Sequence, residues 1–367
     1  MRAYRYRIYP TPKQSKILNT TLFNCFRLYN TALQQRRDIY ISSKKSVSYN
    51  QQQNELPELK EYYPEYTEIY SQVLQDVLHR VDYAYQSFFR RLKAKDGKAG
   101  FPRFKSLDRY DSFCFPQSGF AIVNNRIKLS KIGLIKIKLH RQIPADCAIK
   151  TCTIKREGEH WYCILAVTTP VIQKEKVTVT NAVGIDLGLT DFAVLSTGEQ
   201  IHNPKYLKQS EAKLKEIQSH YSKGKSKTVK RKLVNLHHKI ANQRKDFHHK
   251  LSHNLVNTFD LIAYEDLKVK NMIENNEYNL QKYISDAAWG KFIFMLKYKA
   301  EDAGIYCIGI NPRGTTQRCS RCDAIVPKTL FERTHKCTNC GFETSRDYNA
   351  ALNIHKLGIS LVKEGFA

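Results

Sequence analysis

The run AVGIDLGLTDFAVLSTGEQI, residues 182–201, reads as an apolar strand, a glycine-containing turn and a second strand. Asp186 closes the first strand, where the turn would present its carboxylate at the strand's carboxyl-terminal edge. Working outward, FDLIAYEDL (259–267) is short, apolar and flanked by acids, as expected of a buried parallel strand, and Glu265 holds the equivalent position in it. GIYCIGINP (304–312) is another strand, and DAAWGKFIFMLKYKAEDAG (286–304) reads as one helix. SRDYNAALNIHKLG (345–358) reads as a terminal helix with Asp347 at its start. Each acid alone has a plain alternative: Asp186 as a turn former, Glu265 as a solvated strand end beside Asp266, and Asp347 as a helix N-cap. Delivered together by two central strands and one helix, the three carboxylates suit a pair of divalent ions that activate water and stabilise the leaving oxygen in phosphodiester hydrolysis.

Composition agrees with a phosphate-bearing partner. Across 367 residues the chain has 60 Lys+Arg against 34 Asp+Glu, a formal charge of +26 spread along its length. Such a surface attracts a polyanion. No apolar stretch approaches the roughly 18 to 20 residues of a spanning helix, so a membrane partner is not expected. The opening MRAYRYRIYP lacks a signal peptide's apolar core and small-residue cleavage site, which points to the cytosol. The length calls for two or three domains.

Four of the ten cysteines form two CxxC pairs, Cys319 and Cys322, then Cys337 and Cys340, separated by fourteen residues. A short knuckle from each pair supplies two thiolates, the tetrahedral set that zinc prefers, with no open position for hydrolysis. His335 is not needed as a ligand. The remaining six, Cys25, Cys114, Cys147, Cys152, Cys163 and Cys307, stand among apolar neighbours and read as core thiols in a reducing compartment.

In the first half, Tyr4, Tyr6 and Ile8 alternate with Arg5 and Arg7 as in a half-buried strand. A helix follows, with Thr11 as N-cap, Pro12 at its first position and Leu18, Leu22, Cys25, Tyr29 and Leu33 on one face. A second helix spans about 70–95, with Leu74, Leu78, Val81, Tyr85 and Phe88 facing a core and Arg90, Arg91, Lys93 and Lys95 at its end. The Tyr- and Gln-rich stretch between the helices has no clear period. RIKLSKIGLIKIKLH (126–140), AIKTCTIKR (148–156) and HWYCILAVTTP (160–170) alternate basic and apolar residues, so their sheet has one apolar and one basic face, the latter suited to a sugar-phosphate backbone. The first strand has the same texture, which makes the helices an insertion within a β domain. A boundary falls near 177–181, and the charged stretch 203–259, broken at SKGKSK (222–227), reads as an antiparallel helical pair.

YRYRIYPTPKQ (4–14), GFPRFK (100–105), VGIDLGLTDFAVLSTG (183–198), NQRKDFHHKLS (242–252), AYEDLKVKNM (263–272), TTQRCSRC (315–322), KCTNCGF (336–342) and RDYNAALNI (346–354) together resemble the TnpB family, RNA-guided nucleases of bacterial insertion sequences related to type V CRISPR effectors. Ser345 and Asp323 depart from the family's usual residues without removing an acid or a thiolate. The resemblance implies a multidomain α/β chain. Residues 1–10 and 97–178 would form a β-barrel-like wedge domain, with 11–96 as its helical recognition insertion. Residues 179–318 and 341–367 would form a RuvC nuclease domain of ribonuclease H-like fold, interrupted by a zinc ribbon at 319–340. Asp186, Glu265 and Asp347 become its Mg2+- or Mn2+-binding triad, and the four cysteines its structural Zn2+ site. The implied activity is guide-directed cleavage of double-stranded DNA beside a short flanking motif by two-metal hydrolysis. An RNA-guided repressor without cleavage and a strand-joining transposase are the alternatives. The implied partners are a guide RNA from the element's end and the target DNA, with the element's transposase a functional rather than physical partner, in a bacterial or archaeal cytoplasm at the nucleoid. Candidate nucleic-acid contacts are Arg5, Arg7, Arg103, Lys105, Arg244 and Lys245 for phosphate, and Gln72, Gln75 and His79 for base edges.

Overall fold

The structure is a computed structural model that describes residues 1–94, 99–168, 176–274, 280–329 and 332–365. The chain divides into two compact units, 1–171 and 172–367. Lys95, the last residue expected in the second helix, the expected 96/97 boundary, and Thr169 and Pro170 of the last β run lie outside the described residues.

The first unit opens with β1 (Arg2–Tyr9), α1 (Pro12–Ser43), α2 (Tyr49–Asn54), α3 (Leu56–Tyr62) and α4 (Ser71–Ala94). It continues with β2 (Ser112–Phe115), β3 (Phe120–Val123), β4 (Arg126–Leu129), β5 (Gly133–Lys138), β6 (Ala148–Glu157) and β7 (His160–Thr168). Its strands pair antiparallel in the order β2-β6-β7-β1-β5-β4-β3, which places β1 at the centre and makes the helices an insertion between β1 and β2. The end strands β2 and β3 are not neighbours in that order, so hydrogen bonds between them do not close the sheet into a barrel among the described residues. The alternation expected of β1 holds: Tyr4, Tyr6 and Ile8 are buried against Leu18, Leu22 and Leu33 of α1 and Leu74, Leu78 and Val81 of α4. Each fully buried Leu or Ile contributes about 1.5–3 kcal/mol over its exposed state. Thr11 caps α1 through a reciprocal capping box with Gln14 (3.3 and 3.0 Å).

The stretch that lacked a period carries α2 and α3, and the start of α2 is marked by a second capping box between Ser48 and Gln51. Of the six cysteines expected in cores, Cys25, Cys114, Cys152 and Cys163 are buried, but Cys147 and Cys307 are only half-buried. Cys147 stands just before β6, partly buried against the first unit's core.

The second unit contains β8 (Ala182–Leu187), β9 (Asp191–Leu195), β10 (Gln200–His202), α5 (Tyr206–Gln209), α6 (Glu211–Gly224) and α7 (Lys227–Thr258). Then come β11 (Leu261–Glu265), α8 (Val269–Glu274), α9 (Gln281–Ala287), α10 (Trp289–Ala303), β12 (Tyr306–Ile310), β13 (Thr334–Lys336), β14 (Glu343–Ser345) and α11 (Arg346–Lys363). Five strands pair in the order β10-β9-β8-β11-β12; β9 and β10 are antiparallel, while β11 runs parallel to both β8 and β12. Cys307 lies in β12, an edge strand with an open flank, which accounts for its half-burial. The expected helical pair is α6 and α7, parted where Lys225 adopts φ 45°. The single helix expected over 286–304 is two helices, because Ala288 takes a left-handed conformation (φ 50°) between α9 and α10. Asp286 is the reason available: its carboxylate accepts from the Leu207 amide (3.1 Å) and pairs with Arg244 (3.1 Å), ties that fix the end of α9.

Period-two alternation decides what each face of this sheet does. Val183, Ile185 and Leu187 of β8 and Ile262 and Tyr264 of β11 join Phe292 and Leu296 of α10 and Leu255 of α7 in one core. The opposite face of β11 packs Ala263 against Ile354 of α11. Gly184 lies under α11 so closely that a Cβ there would meet the Ala351 carbonyl oxygen at 2.1 Å and the His355 amide nitrogen at 2.4 Å. Both are backbone atoms, so only a shift of the helix makes room. Gly184→Ala is expected to destabilise the fold by about 1–3 kcal/mol or more through overpacking. An unchanged thermal midpoint would contradict that close approach.

Candidate metal centres

The same alternation that points Gly184 and Ala263 at α11 points Asp186 and Glu265 to that side, at the carboxyl ends of two parallel neighbours. Tyr264 is in register with Ile185, so the next step along each strand sets Glu265 beside Asp186. Both carboxylates are buried, Asp186 at 8% exposure and Glu265 at 6%. Neither alternative for them fits: Asp186 is inside a strand rather than in the turn, and it is Asp266, not Glu265, that is exposed.

Asp347 stands in the first turn of α11, but it is not the cap. The Ser345 side chain takes that role, accepting from the Tyr348 amide (3.2 Å). Freed from capping, the Asp347 carboxylate lies 3.1 Å from Arg346 Nε and 3.9 Å from Arg333 Nη1 and is 31% exposed. The three acids feel one another. Burial, then the adjacent Glu265 and Asp347, push Asp186 well above the usual carboxylate range. Burial raises Glu265 as well, opposed by hydrogen bonds from Thr315 and Asp186. Both shifts run upward, that of Asp186 the further, because two buried carboxyls set side by side disfavour a second negative charge. Thr315 Oγ1 donates to Glu265 Oε1 at 2.8 Å.

The second cluster is more compact. Cys319, Cys322, Cys337 and Cys340 keep all four sulfurs within 4.8 Å of one another, the one group of this tightness among the described residues. Cys319 and Cys340 sulfurs are 3.7 Å apart and Cys322 and Cys337 3.5 Å. A tetrahedron of Zn–S bonds near 2.3 Å sets sulfurs about 3.8 Å apart, so the donors fit zinc without rearrangement. Donation from Asn339 Nδ2 (3.5 Å) and the Ala324 amide draws the Cys322 thiol down to about 6, toward the thiolate that a metal requires. The second knuckle sits in the β13–β14 hairpin, whose return strand at 343–345 lies beyond the 319–340 segment expected for the ribbon. His335 is buried, with Nδ1 bonded to Lys328 Nζ, and is not in the sulfur cluster.

The expected nucleic-acid contacts are scattered over both units. Arg5 is paired with Glu157 (2.5 Å) and stacked on Tyr162, and Arg7 reaches His160 Nδ1 (2.6 Å). Gln72 accepts from the Ser118 amide and hydroxyl (3.2 Å each), Gln75 is half-buried, and His79 stacks between Tyr49 (3.7 Å) and Tyr83 (5.7 Å). Arg103 and Lys105 are exposed, with Lys105 Nζ 5.9 Å from the Tyr29 ring. Lys245 is exposed, whereas Arg244 is held by Asp286 and the Ser285 and Asp286 carbonyls. Thr315, Asn349 and Asn353 escaped sequence reasoning. A polar pair four residues apart among Ala350, Ala351 and Ile354 on a buried helix face was the available signal for the two asparagines.

The second unit is thus an α/β unit with a buried pair of carboxyls at its strand ends and a four-thiolate knuckle, with the donor set that zinc prefers, leading into the helix that carries the third acid. Residues 162–276 match a family model described as "Probable transposase" of the IS605 OrfB type, 289–354 match the Cas12f1-like TNB domain, and 1–45 match that family's helix-turn-helix domain. Within 1–45 the structure has one strand and one uninterrupted helix. A Streptomyces pristinaespiralis protein named "Putative RNA-guided DNA endonuclease" is 33% identical over 98% of this chain and 90% of its own length. An Escherichia coli K12 protein with that description is 27% identical over 100% of this chain and 94% of its own. A solved Cas12f1-sgRNA-target DNA complex is a remote likeness, with 16% identity, a TM-score of 0.38, and coverage of 96% of this chain and 98% of that one. The chain belongs to the TnpB family.

Proposed function

We propose that this chain is an RNA-guided endonuclease of a transposable element that hydrolyses double-stranded DNA beside a short flanking motif. One observation carries the reading beyond the names of its relatives: Asp186 and Glu265, far apart in sequence, lie buried side by side at the carboxyl ends of two parallel strands, on the face covered by the helix whose first turn bears Asp347. Ligands of open α/β sheets bind outside the carboxyl ends of the strands, where Asp186 and Glu265 stand. This placement supports a RuvC-like, ribonuclease H-like assignment for 179–318 and 341–367, with the knuckles as an insert, and the antiparallel first unit supports a wedge with a helical recognition insert.

Mg2+ or Mn2+ ions held by the three acids would activate water and stabilise the leaving oxygen. Ions about 3.5–4 Å apart do not require all three acids to crowd round one point. To hold such ions Asp186 and Glu265 would both be ionised, while Arg346 and Arg333 balance the charge of Asp347. Zn2+ held by the four cysteines would have a structural role, because four thiolates leave no ligand position open.

Guide RNA and target DNA are the partners that fit a +26 chain. Among the described residues no helix is long and apolar enough to cross a membrane. The test is to sequence the RNA that copurifies with the protein and challenge the complex with a plasmid library matched to that guide. Cleavage next to a fixed short motif is expected. Guide-directed binding without cutting would move the chain to the binding-only regulators, and strand joining would make it a transposase.

A further inference from the structure

A hydroxyl and two buried amides join the carboxylate cluster to the thiolate cluster. Thr315, 3% exposed, lies in the link between β12 and Cys319. Its Oγ1 is 2.8 Å from Glu265 Oε1 and 3.0 Å from the Pro312 carbonyl. One hydroxyl proton faces two acceptors, and an ionised carboxylate is the stronger. The Thr315 carbonyl accepts from Asn353 Nδ2 (2.8 Å), which also donates to the Arg318 carbonyl (2.7 Å). One turn earlier, Asn349 donates to the Arg318 carbonyl (2.8 Å) and accepts from the Ser320 amide (2.9 Å). Lys356 Nζ donates to the Ser320 carbonyl.

Asn349, Asn353 and Lys356 are spaced i, i+4, i+7 and so share one face of α11. Both asparagines are buried, a costly place for an amide unless it is paired. Here the pairing is to the backbone running from Thr315 into the first knuckle. Glu265 on β11 and Asp347 at the head of α11 are thereby fixed through a single strut, and that strut carries Cys319 and Cys322.

We propose that Thr315 is a positioning residue that aims the Glu265 carboxylate at the divalent-ion site, and that Asn353 and Asn349 lock Thr315 to the helix bearing Asp347. The inference rests on reading Glu265 and Asp347 as ion ligands. Without the hydroxyl, the Glu265 side chain keeps its strand but loses the contact that sets its terminal torsion. Removing a hydrogen-bond partner of a ligating carboxylate typically weakens metal affinity about 10–100-fold.

Thr315→Val deletes the hydroxyl and keeps the shape, while Thr315→Ser restores the donor. Mn2+ affinity is read on the full chain by electron paramagnetic resonance of the free ion, with Glu265→Ala as the blank, and the half-saturating Mg2+ concentration is read from plasmid cleavage by the guide complex. Thr315→Val is expected to weaken Mn2+ binding and raise the half-saturating Mg2+ by about 10–100-fold, with Thr315→Ser close to the parent. Asn353→Leu should move both readouts the same way. Zinc content by mass measurement certifies that each variant is folded at the knuckles. A zinc-replete Thr315→Val chain with the parent's Mn2+ affinity and Mg2+ requirement overturns the proposal. If Glu265→Ala itself binds Mn2+ and cleaves like the parent, the assignment of the acids is what fails.

Discussion

Asp186→Ala or Glu265→Ala is expected to abolish DNA cleavage while RNA and target binding persist. Two carboxylates at 8% and 6% exposure, set side by side on parallel strands, repel and are poorly solvated, so the fold holds them at a cost that packing does not demand. Bound divalent cations would offset that cost. Stabilising charge on a phosphoryl oxygen through a bound metal is worth several kcal/mol, so losing one ligand should lower the cleavage rate by roughly 10³-fold or more. Stability gives an independent check with the opposite sign. A carboxyl whose pKa is raised on folding binds its proton more tightly in the native than in the unfolded state. The metal-free parent therefore loses stability as pH climbs from the ordinary carboxylate range through the raised value of Asp186. Asp186→Ala removes that loss, so near neutral pH its metal-free thermal midpoint should equal or exceed the parent's. Undiminished cutting by a purified variant would take these residues out of catalysis.

That the acids sit together was legible because strand periodicity is short and strict. Asp186 and Glu265 each follow an apolar run, and two buried parallel strands leave few ways to arrange their ends. Asp347 was legible only to a point. Its place at a helix start could mean a cap or a ligand, and the structure removes the cap reading, since the Ser345 hydroxyl occupies the cap. The contacts around Asp347 could not be read at all: Arg333 and Arg346 are two cations in a chain rich in them, and only the β13–β14 hairpin brings Arg333 near. The same limit applies to Arg244, whose basic surroundings suggest phosphate while the fold supplies Asp286 from the end of α9. Charge reports a class of partner; which cations are committed internally depends on tertiary contacts made by residues 42 positions away. The split of one expected helix at Ala288 has the same origin: the residue that turns left-handed is an alanine, and the nearest glycine, Gly290, lies inside α10.

Cys337→Ser is expected to strip the bound zinc and unfold the knuckle region, and this should be the largest structural effect of any single change in the second unit. Strands β13 and β14 are three residues each, and so short a hairpin is not stable in water by itself. Among the described residues of the hairpin strands only His335 is buried, at 0% exposure, so the sulfurs must supply what an apolar core would supply elsewhere. In small zinc domains that contribution is on the order of 10–16 kcal/mol, far more than the hairpin's own hydrogen bonds return. Mass measurement of the native protein should find one zinc per parent chain and none in the variant, with new protease cuts between 319 and 345. The damage should also travel. Ser320 and Arg318 are tied to Asn349 and Asn353 of α11, so slack in the knuckle releases restraints on the helix that presents Asp347, and cleavage should fall although all three acids remain. A parent chain that carries no metal would remove both the structural claim and this route from sulfur to carboxylate.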